Sequence, residues 1–514
     1  MAEKKEKKTT EGKLNYNRTF LIGFGFMGCM LLWSVYNSYV PVILRGKLSQ
    51  LGIADFAQAH AFFKWVSVPL IVNAIMTIDN IFGVVFQPHF GKRSDRTHTK
   101  LGKRMPYILV CLPICALFFT FVPVAATVRA TGLSILLMMA VIICFNFLMS
   151  VWRSPVVSLM PDFTPSELQS DANAVINIMG GIGQMVGFVV GTIASTLCGL
   201  LGFVTLSNNL KADTNALGEV LDEAGNVVLN AAGEPVYVNY TPVFLVAAII
   251  SVLCLVVLYF FYKRNKQYDL SANVGFEGGE EEKKEKIKIK NLPITKEEKR
   301  SLFIMLGALF LINNATEAIV PNFTNFANDT LKVSPIYSTL MMAVFAVSLA
   351  VFGIPAGRMG RKLGRKKTIV IGLAVIVAMF AIYLAVSQFL PANADGSVNK
   401  FTWITLWVAL VVGGAAVGCI NINTLPLVLA IGGREYVGTF TGYYYTATMS
   451  ASVTGPILCG LVIGLFKEDY NFMFLFCSAF FALGLLTMFG VKHGEIAKGE
   501  DAAWLEEAVK NADD

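Results

Sequence analysis

Twelve apolar runs divide this sequence of 514 residues, and each is long enough to cross the hydrocarbon core of a bilayer, which takes about 20 residues of helix. They lie near 19–44, 66–90, 106–127, 132–160, 173–203, 241–262, 301–325, 335–356, 368–390, 401–431, 438–466 and 471–491. In lipid every backbone N–H and C=O needs a protein partner, and long unbroken runs meet that need as helices. Of the residues, 55% are hydrophobic and 15% charged, where a soluble domain carries about 25% charge. The expectation is an all-α membrane protein of twelve transmembrane helices.

Several function classes drop out on composition. The nine cysteines all fall inside apolar runs, where a thiol packs as a small apolar group. No metal-ligand spacing and no nucleophile–base set is visible. His60, His89, His98 and His493 lie mostly at or beyond the membrane boundaries. No enzyme activity, metal or cofactor is expected. The polar start MAEKKEKKTTEGK leads straight into a full-length span, so it reads as a tail and not as a removable signal peptide.

The net charge of +7 reflects topology and not nucleic-acid binding. With alternating loops, about 34 of the Lys and Arg residues fall on one side and about 8 on the other, and the rich side is expected to be cytoplasmic. Both termini then lie inside, in a plasma membrane. The division expected is a tail at 1–18, six helices over 19–262, a cytoplasmic linker at 263–300, six helices over 301–491, and a second tail at 492–514. The linker is rich in Gly and charge. The longest outside stretch, about 204–240, has Gly-punctuated pieces that suggest a small hairpin. A short helix around Trp504 and Leu505 is expected in the last tail.

A basic, glycine-punctuated loop occurs once in each half. The first reads Gly91-Lys-Arg-Ser-Asp95-Arg96, then Gly102-Lys103-Arg104; the second reads Gly357-Arg-Met-Gly-Arg361-Lys-Leu-Gly364-Arg365. A motif repeated once per half suggests a carrier built from two related bundles that rock against each other. The halves also echo each other in runs five and eleven, where Gly180, Gly181, Gly183, Gly187 and Gly191 match Gly442, Ser450, Ser452, Gly455 and Gly460. Small residues at such spacing let helix backbones approach closely.

Ionisable groups at membrane depth are expensive and mark function. Asp79 lies near mid-depth in run two, Glu317 in the outer half of run seven, and Arg153 in run four. An Asp79–Arg153 pair would neutralise itself in a dry bundle; the functional alternative is that Asp79 or Glu317 takes a proton while Arg153 tunes it or binds a sugar hydroxyl. Amides and aromatics accompany them: Tyr36, Asn37, Asn146, Trp152, Asn177, Asn313, Asn314, Asn421, Asn423 and Tyr444. Amides both donate to and accept from hydroxyls, which suits a sugar.

The stretch Gln87-Pro88-His-Phe-Gly91-Lys-Arg-Ser94-Asp95-Arg96, with Gly102-Lys-Arg-Met-Pro106-Tyr107, resembles the corresponding stretch of plant sucrose carriers. Pro155-Val-Val-Ser158-Leu-Met-Pro161 is similar to a segment of the melibiose permease. Both groups belong to the glycoside–pentoside–hexuronide:cation symporters of the major facilitator superfamily. The resemblance implies two pseudo-symmetric six-helix bundles, with helices one, four, seven and ten lining a central cavity. It implies that Gly91, Asp95, Arg96, Gly102 and Arg104 form a cytoplasmic gate, with Asp95 set against the start of helix eleven near Arg434. Arg361 stands where the second loop would carry its acid, so its partner on helix five should be acidic, Asp171 or Asp162. The acids of a melibiose-type sodium site are replaced by Gly83, Gln87 and Arg153, which makes a proton the expected coupling ion.

The function expected from these residues is uptake of a glucoside di- or oligosaccharide, of sucrose or maltose type, by proton symport and alternating access. Asp79 and Glu317 are the expected proton carriers. Alternatives are a lysolipid or other amphipath carrier of the same fold, and a sugar uniporter. The expected partners are the sugar, a proton in preference to sodium, and the bilayer; no nucleic acid is expected, and the chain is expected to act as a monomer.

Overall fold

The computed structural model describes residues 15–53, 66–97, 99–164, 169–222, 224–269, 295–390, 398–432 and 437–493. Among these residues, twelve helices are long and apolar enough to cross a membrane. They are α1 (Tyr16–Gln50), α2 (Val68–Asp95), α3 (Met105–Ala126) and α4 (Thr131–Phe163). Next come α5 (Gln169–Leu200), α6 (Thr241–Asn265), α7 (Lys296–Thr330) and α8 (Pro335–Leu363). The last four are α9 (Arg365–Phe389), α10 (Lys400–Gly432), α11 (Val437–Leu465) and α12 (Phe472–Phe489). Arg434, His60, His98, Trp504 and Leu505 lie outside the described residues, as does most of the linker.

Local chemistry sets several of these ends. The Asn15 side chain accepts the Arg18 N–H and caps α1. Thr295 and Glu298 form a reciprocal capping box at the start of α7, which satisfies two otherwise orphaned donors. Gly364, at φ +99°, turns the chain between α8 and α9. Thr77 interrupts α2, leaving Val68–Met76 and Ile78–Asp95 as two pieces.

The helices form two six-helix bundles around two apolar cores, one built mostly from α1–α6 and the other mostly from α7–α12. Within the bundles α1 packs on α5 and α7 on α11; between them α2 meets α11, α5 meets α8 and α1 meets α7. A two-fold relation between the halves produces this set of pairings. The glycine rows do what small residues do in lipid. A Cβ on Gly183 would stand 2.2 Å from the Met27 carbonyl oxygen of α1, and one on Gly455 2.5 Å from the Asn314 carbonyl oxygen of α7. Gly181 and Gly442, from the same rows, face open space.

The basic loops between α2 and α3 and between α8 and α9 share one face of the molecule, here the basic face. On the opposite, far face, residues 204–240 open with an eight-residue helix, Val204–Lys211. The hairpin expected there is looser than a ladder. Isolated antiparallel bridges join Thr214 to Val220, Glu219 to Tyr237, Leu221 to Val227 and Leu229 to Pro235.

Candidate functional site

A cavity of about 980 Å³ lies between the bundles, with residues of α1, α2, α4, α5, α7, α8, α10 and α11 on its wall. Trp33 and Asn37 of α1 stand one turn apart, so both face it. α2 adds Asp79, Asn80 and Gln87, α4 adds Arg153, and α5 adds Gln184. The other bundle adds Thr316 and Glu317 of α7, Asn421 of α10, and Tyr445 and Ser452 of α11. The cavity runs from mid-depth toward the basic face along Gln87 and Pro88 on one side and Gly442 and Tyr445 on the other.

Five of the expected residues, Asn37, Asp79, Arg153, Glu317 and Asn421, line this wall. Asp79 and Arg153 do not neutralise each other: no ion pair joins them among the described residues. The Arg153 guanidinium instead lies over the Trp33 ring, 4.5 Å from its centroid, a cation–π arrangement. The Asp79 carboxylate accepts the Asn80 backbone N–H at 2.6 Å. That N–H belongs to the first turn after the Thr77 interruption, where the helix ladder leaves donors unused.

The remaining expected binding residues sit elsewhere, and for the amides Asn146, Asn313, Asn314 and Asn423 the reason is that each is bonded to a neighbour. Tyr36 is buried against Phe145, and its hydroxyl accepts from Asn146 Nδ2 at 3.1 Å. Trp152 is fully buried in the first core. Asn314 donates to the Phe310 carbonyl at 2.7 Å and accepts from Thr454 Oγ1 at 2.8 Å, joining α7 to α11. Asn313 donates back to the Leu309 carbonyl at 2.9 Å. Asn423 donates to the Cys419 carbonyl at 2.9 Å and to the Ala356 carbonyl at 3.3 Å, joining α10 to α8. Tyr444 packs on the second core while its neighbour Tyr445 faces the cavity. Asn177 is exposed and off the cavity wall. Trp33, Asn80 and Ser452 are wall residues that polarity and depth alone do not single out. The one-turn step back from Asn37 to Trp33 is the available signal.

On the basic face Arg104 gathers the first loop. It reaches Asp95 at 2.5 Å and Asp162 at 2.9 Å, and donates to Ser94 Oγ at 2.5 Å and to the Gly91 carbonyl at 3.5 Å. Among the described residues Asp95 is thus bound inside its own bundle and not to α11. Asp162 is occupied by Arg104, which removes it as the expected partner of Arg361. Arg96 ends α2, and Arg361 lies in the last turn of α8. Gly102, at φ +82°, passes so close to the Tyr262 hydroxyl that a Cβ would sit 1.8 Å from it.

Bonds joining the bundles gather from mid-depth to the far face, and none of them is foreshadowed by a motif. Arg45 of α1 pairs with Asp329 of α7 at 2.9 Å and stacks over Tyr470, 4.7 Å from the ring centroid. Asn73 and Asn322 exchange amide bonds of 2.9 and 3.0 Å. The Tyr39 and Thr339 hydroxyls lie 3.4 Å apart, and the Val68 N–H donates to Glu468 at 3.1 Å. The 204–240 excursion bridges both bundles: Gln50 of α1 donates to the Leu217 carbonyl at 2.9 Å, and Asn328 of α7 donates to Thr214 Oγ1 at 2.8 Å.

Two six-helix bundles closed at one face around a central cavity define a multi-pass membrane transporter of the major facilitator fold. Solved transporters share it at low sequence identity. A point mutant of the nucleoside transporter NupG is 12% identical with a TM-score of 0.56, over 92% of this chain and 99% of that one. The peptide transporter POT in complex with sulfate is 12% identical with a TM-score of 0.58, over 92% and 93%. A bacterial homolog of the human lysosomal transporter Spinster, in an inward-facing and occupied conformation, is 12% identical with a TM-score of 0.53, over 93% and 95%. No curated protein matches the chain in sequence. The chain belongs to the MFS/sugar transport protein family, whose model matches residues 21–471.

Proposed function

We propose that this chain imports a di- or oligosaccharide glucoside across a cell membrane by proton symport, with its basic face and both termini in the cytoplasm. The observation that carries the reading is the composition of the cavity wall. Trp33 and Tyr445 offer aromatic faces for a sugar ring, Asn37, Asn80, Gln87, Gln184 and Asn421 offer paired donors and acceptors, and Asp79, Glu317 and Arg153 supply the charge. A volume of about 980 Å³ sits at the upper end of the range for small-molecule sites, which runs to roughly 1,000 Å³. The excess of Lys and Arg on one face supports the orientation. In that orientation the cavity faces inward and the far-face bonds hold the outer gate shut.

In this reading Asp79 and Glu317 take the proton, and Arg153 holds a sugar hydroxyl when the ring displaces it from Trp33. The Arg104 cluster is the inner gate in its released form: when the bundles meet at the cytoplasmic face, Asp95 turns from Arg104 toward α11. Reconstituted vesicles offered sucrose, maltose, maltotriose, raffinose and melibiose, with and without an inward proton gradient, test the proposal. Gradient-driven uptake of at least one glucoside is expected, and Asp79→Asn is expected to abolish the gradient's effect. Uptake of none, with tight binding of a lysolipid, would overturn it.

A further inference from the structure

Asn80 makes two contacts at once. Its backbone N–H, freed from the ladder by the break at Thr77, donates to the Asp79 carboxylate at 2.6 Å. Its side-chain Nδ2 crosses to the other bundle and donates to the Ser452 carbonyl of α11 at 3.3 Å. That carbonyl has a specific need. Four residues on stands Pro456, inside α11, and a proline has no N–H to offer the carbonyl one turn back. The Ser452 hydroxyl does not fill the gap, because it donates to the Thr448 carbonyl at 3.1 Å. An orphaned carbonyl in one bundle is therefore met by an amide from the other.

We propose that Asn80 is a positioning residue that ties the charge state of Asp79 to the contact between the two bundles. This rests on the reading of Asp79 as a proton carrier. An ionised carboxylate at the start of a helix segment is a strong acceptor for the free N–H. When a proton settles on an Asp79 oxygen, that oxygen turns from acceptor to donor. The Asn80 backbone then relaxes toward the Met76 carbonyl of the preceding piece, and its side chain draws back from Ser452. The far-face closure loses one of its bonds. The titratable and charged groups facing Asp79 are Arg153 from α4, Glu317 from α7 and the Tyr36 hydroxyl from α1. All three stay in place in the variants below.

The test is accessibility of the cavity from the far face as a function of pH. A cysteine replaces Thr316, on the cavity wall, in a full-length chain whose half-buried Cys111, Cys144 and Cys419 are changed to alanine. A membrane-impermeant maleimide is applied outside oriented proteoliposomes, with no substrate present. Acidification should raise labelling of the parent relative to a reference cysteine on the exposed far-face loop, which reports the fall in thiolate that acid alone causes. Asn80→Ala should raise labelling at neutral pH by about fivefold, the worth of one hydrogen bond, and flatten the pH response. Pro456→Ala restores an N–H for the Ser452 carbonyl and should do the same while leaving Asn80 intact. Adding Asn80→Ala to Asp79→Asn should change nothing further. If Asn80→Ala keeps the full pH response of the parent, the inference is wrong and the proton role of Asp79 stands. A parent without any pH response would overturn both.

Discussion

Gly102 has little freedom to change. Its φ of +82° suits glycine, and a Cβ there would overlap the Tyr262 hydroxyl, which donates to Asp269 at 2.8 Å. Gly102→Ala should cost about 3 kcal/mol through a left-handed backbone and a clash with a bonded hydroxyl. Thermal unfolding of the purified protein measures it, and an unchanged midpoint would mean that the turn is built differently. At this scale the sequence is half readable. Asn37, Asp79, Arg153, Glu317 and Asn421 stand on the cavity wall. Asn146, Asn314 and Asn423 are equally polar and equally deep, yet each is spent on a neighbour. Residue type gives the cost of burial, and helix phase decides who meets it. A one-residue step, as from Tyr444 to Tyr445, turns a side chain about 100° around the axis.

Among the elements, the α1–α5 seam is the tightest test of close packing. Gly183 leaves no room for a methyl group over the Met27 carbonyl, whereas Gly181 faces open space. Gly183→Ala should destabilise the protein by about 2 kcal/mol, the usual penalty for overpacking, and Gly181→Ala should be neutral. Comparing the two by melting in detergent removes any general effect of adding a methyl group to the helix. Run lengths announce all twelve helices, because the need to satisfy backbone groups in lipid leaves few other folds. The break in α2 is invisible in the sequence because Thr77 is neither proline nor glycine. It is recognised only from the ladder, where Ile78 opens a new first turn.

For the whole molecule the issue is which face is closed. The far face holds an ion pair, an amide exchange and a loop that spans both bundles, none of which has a local sequence signature, because each partner lies far along the chain. Arg45 and Asp329 are separated by 284 positions. Replacing Arg45 with methionine keeps much of the packing on Tyr470 and leaves Asp329 without its cation. Labelling of a cavity cysteine from the far face should rise about tenfold, the equivalent of about 1.4 kcal/mol lost from this closed state. Equal labelling in parent and variant would show that the pair does not hold the gate.

The excursion at 204–240 has a consequence for recognition. Its Thr214 is held by α7 and its Leu217 by α1, so its surface around that crossing is a composite epitope that exists only while the far gate is shut. A binder raised to that composite epitope would stabilise one conformer by mass action. It would stop the transport cycle from the far face, without entering the cavity and without knowledge of what the carrier moves.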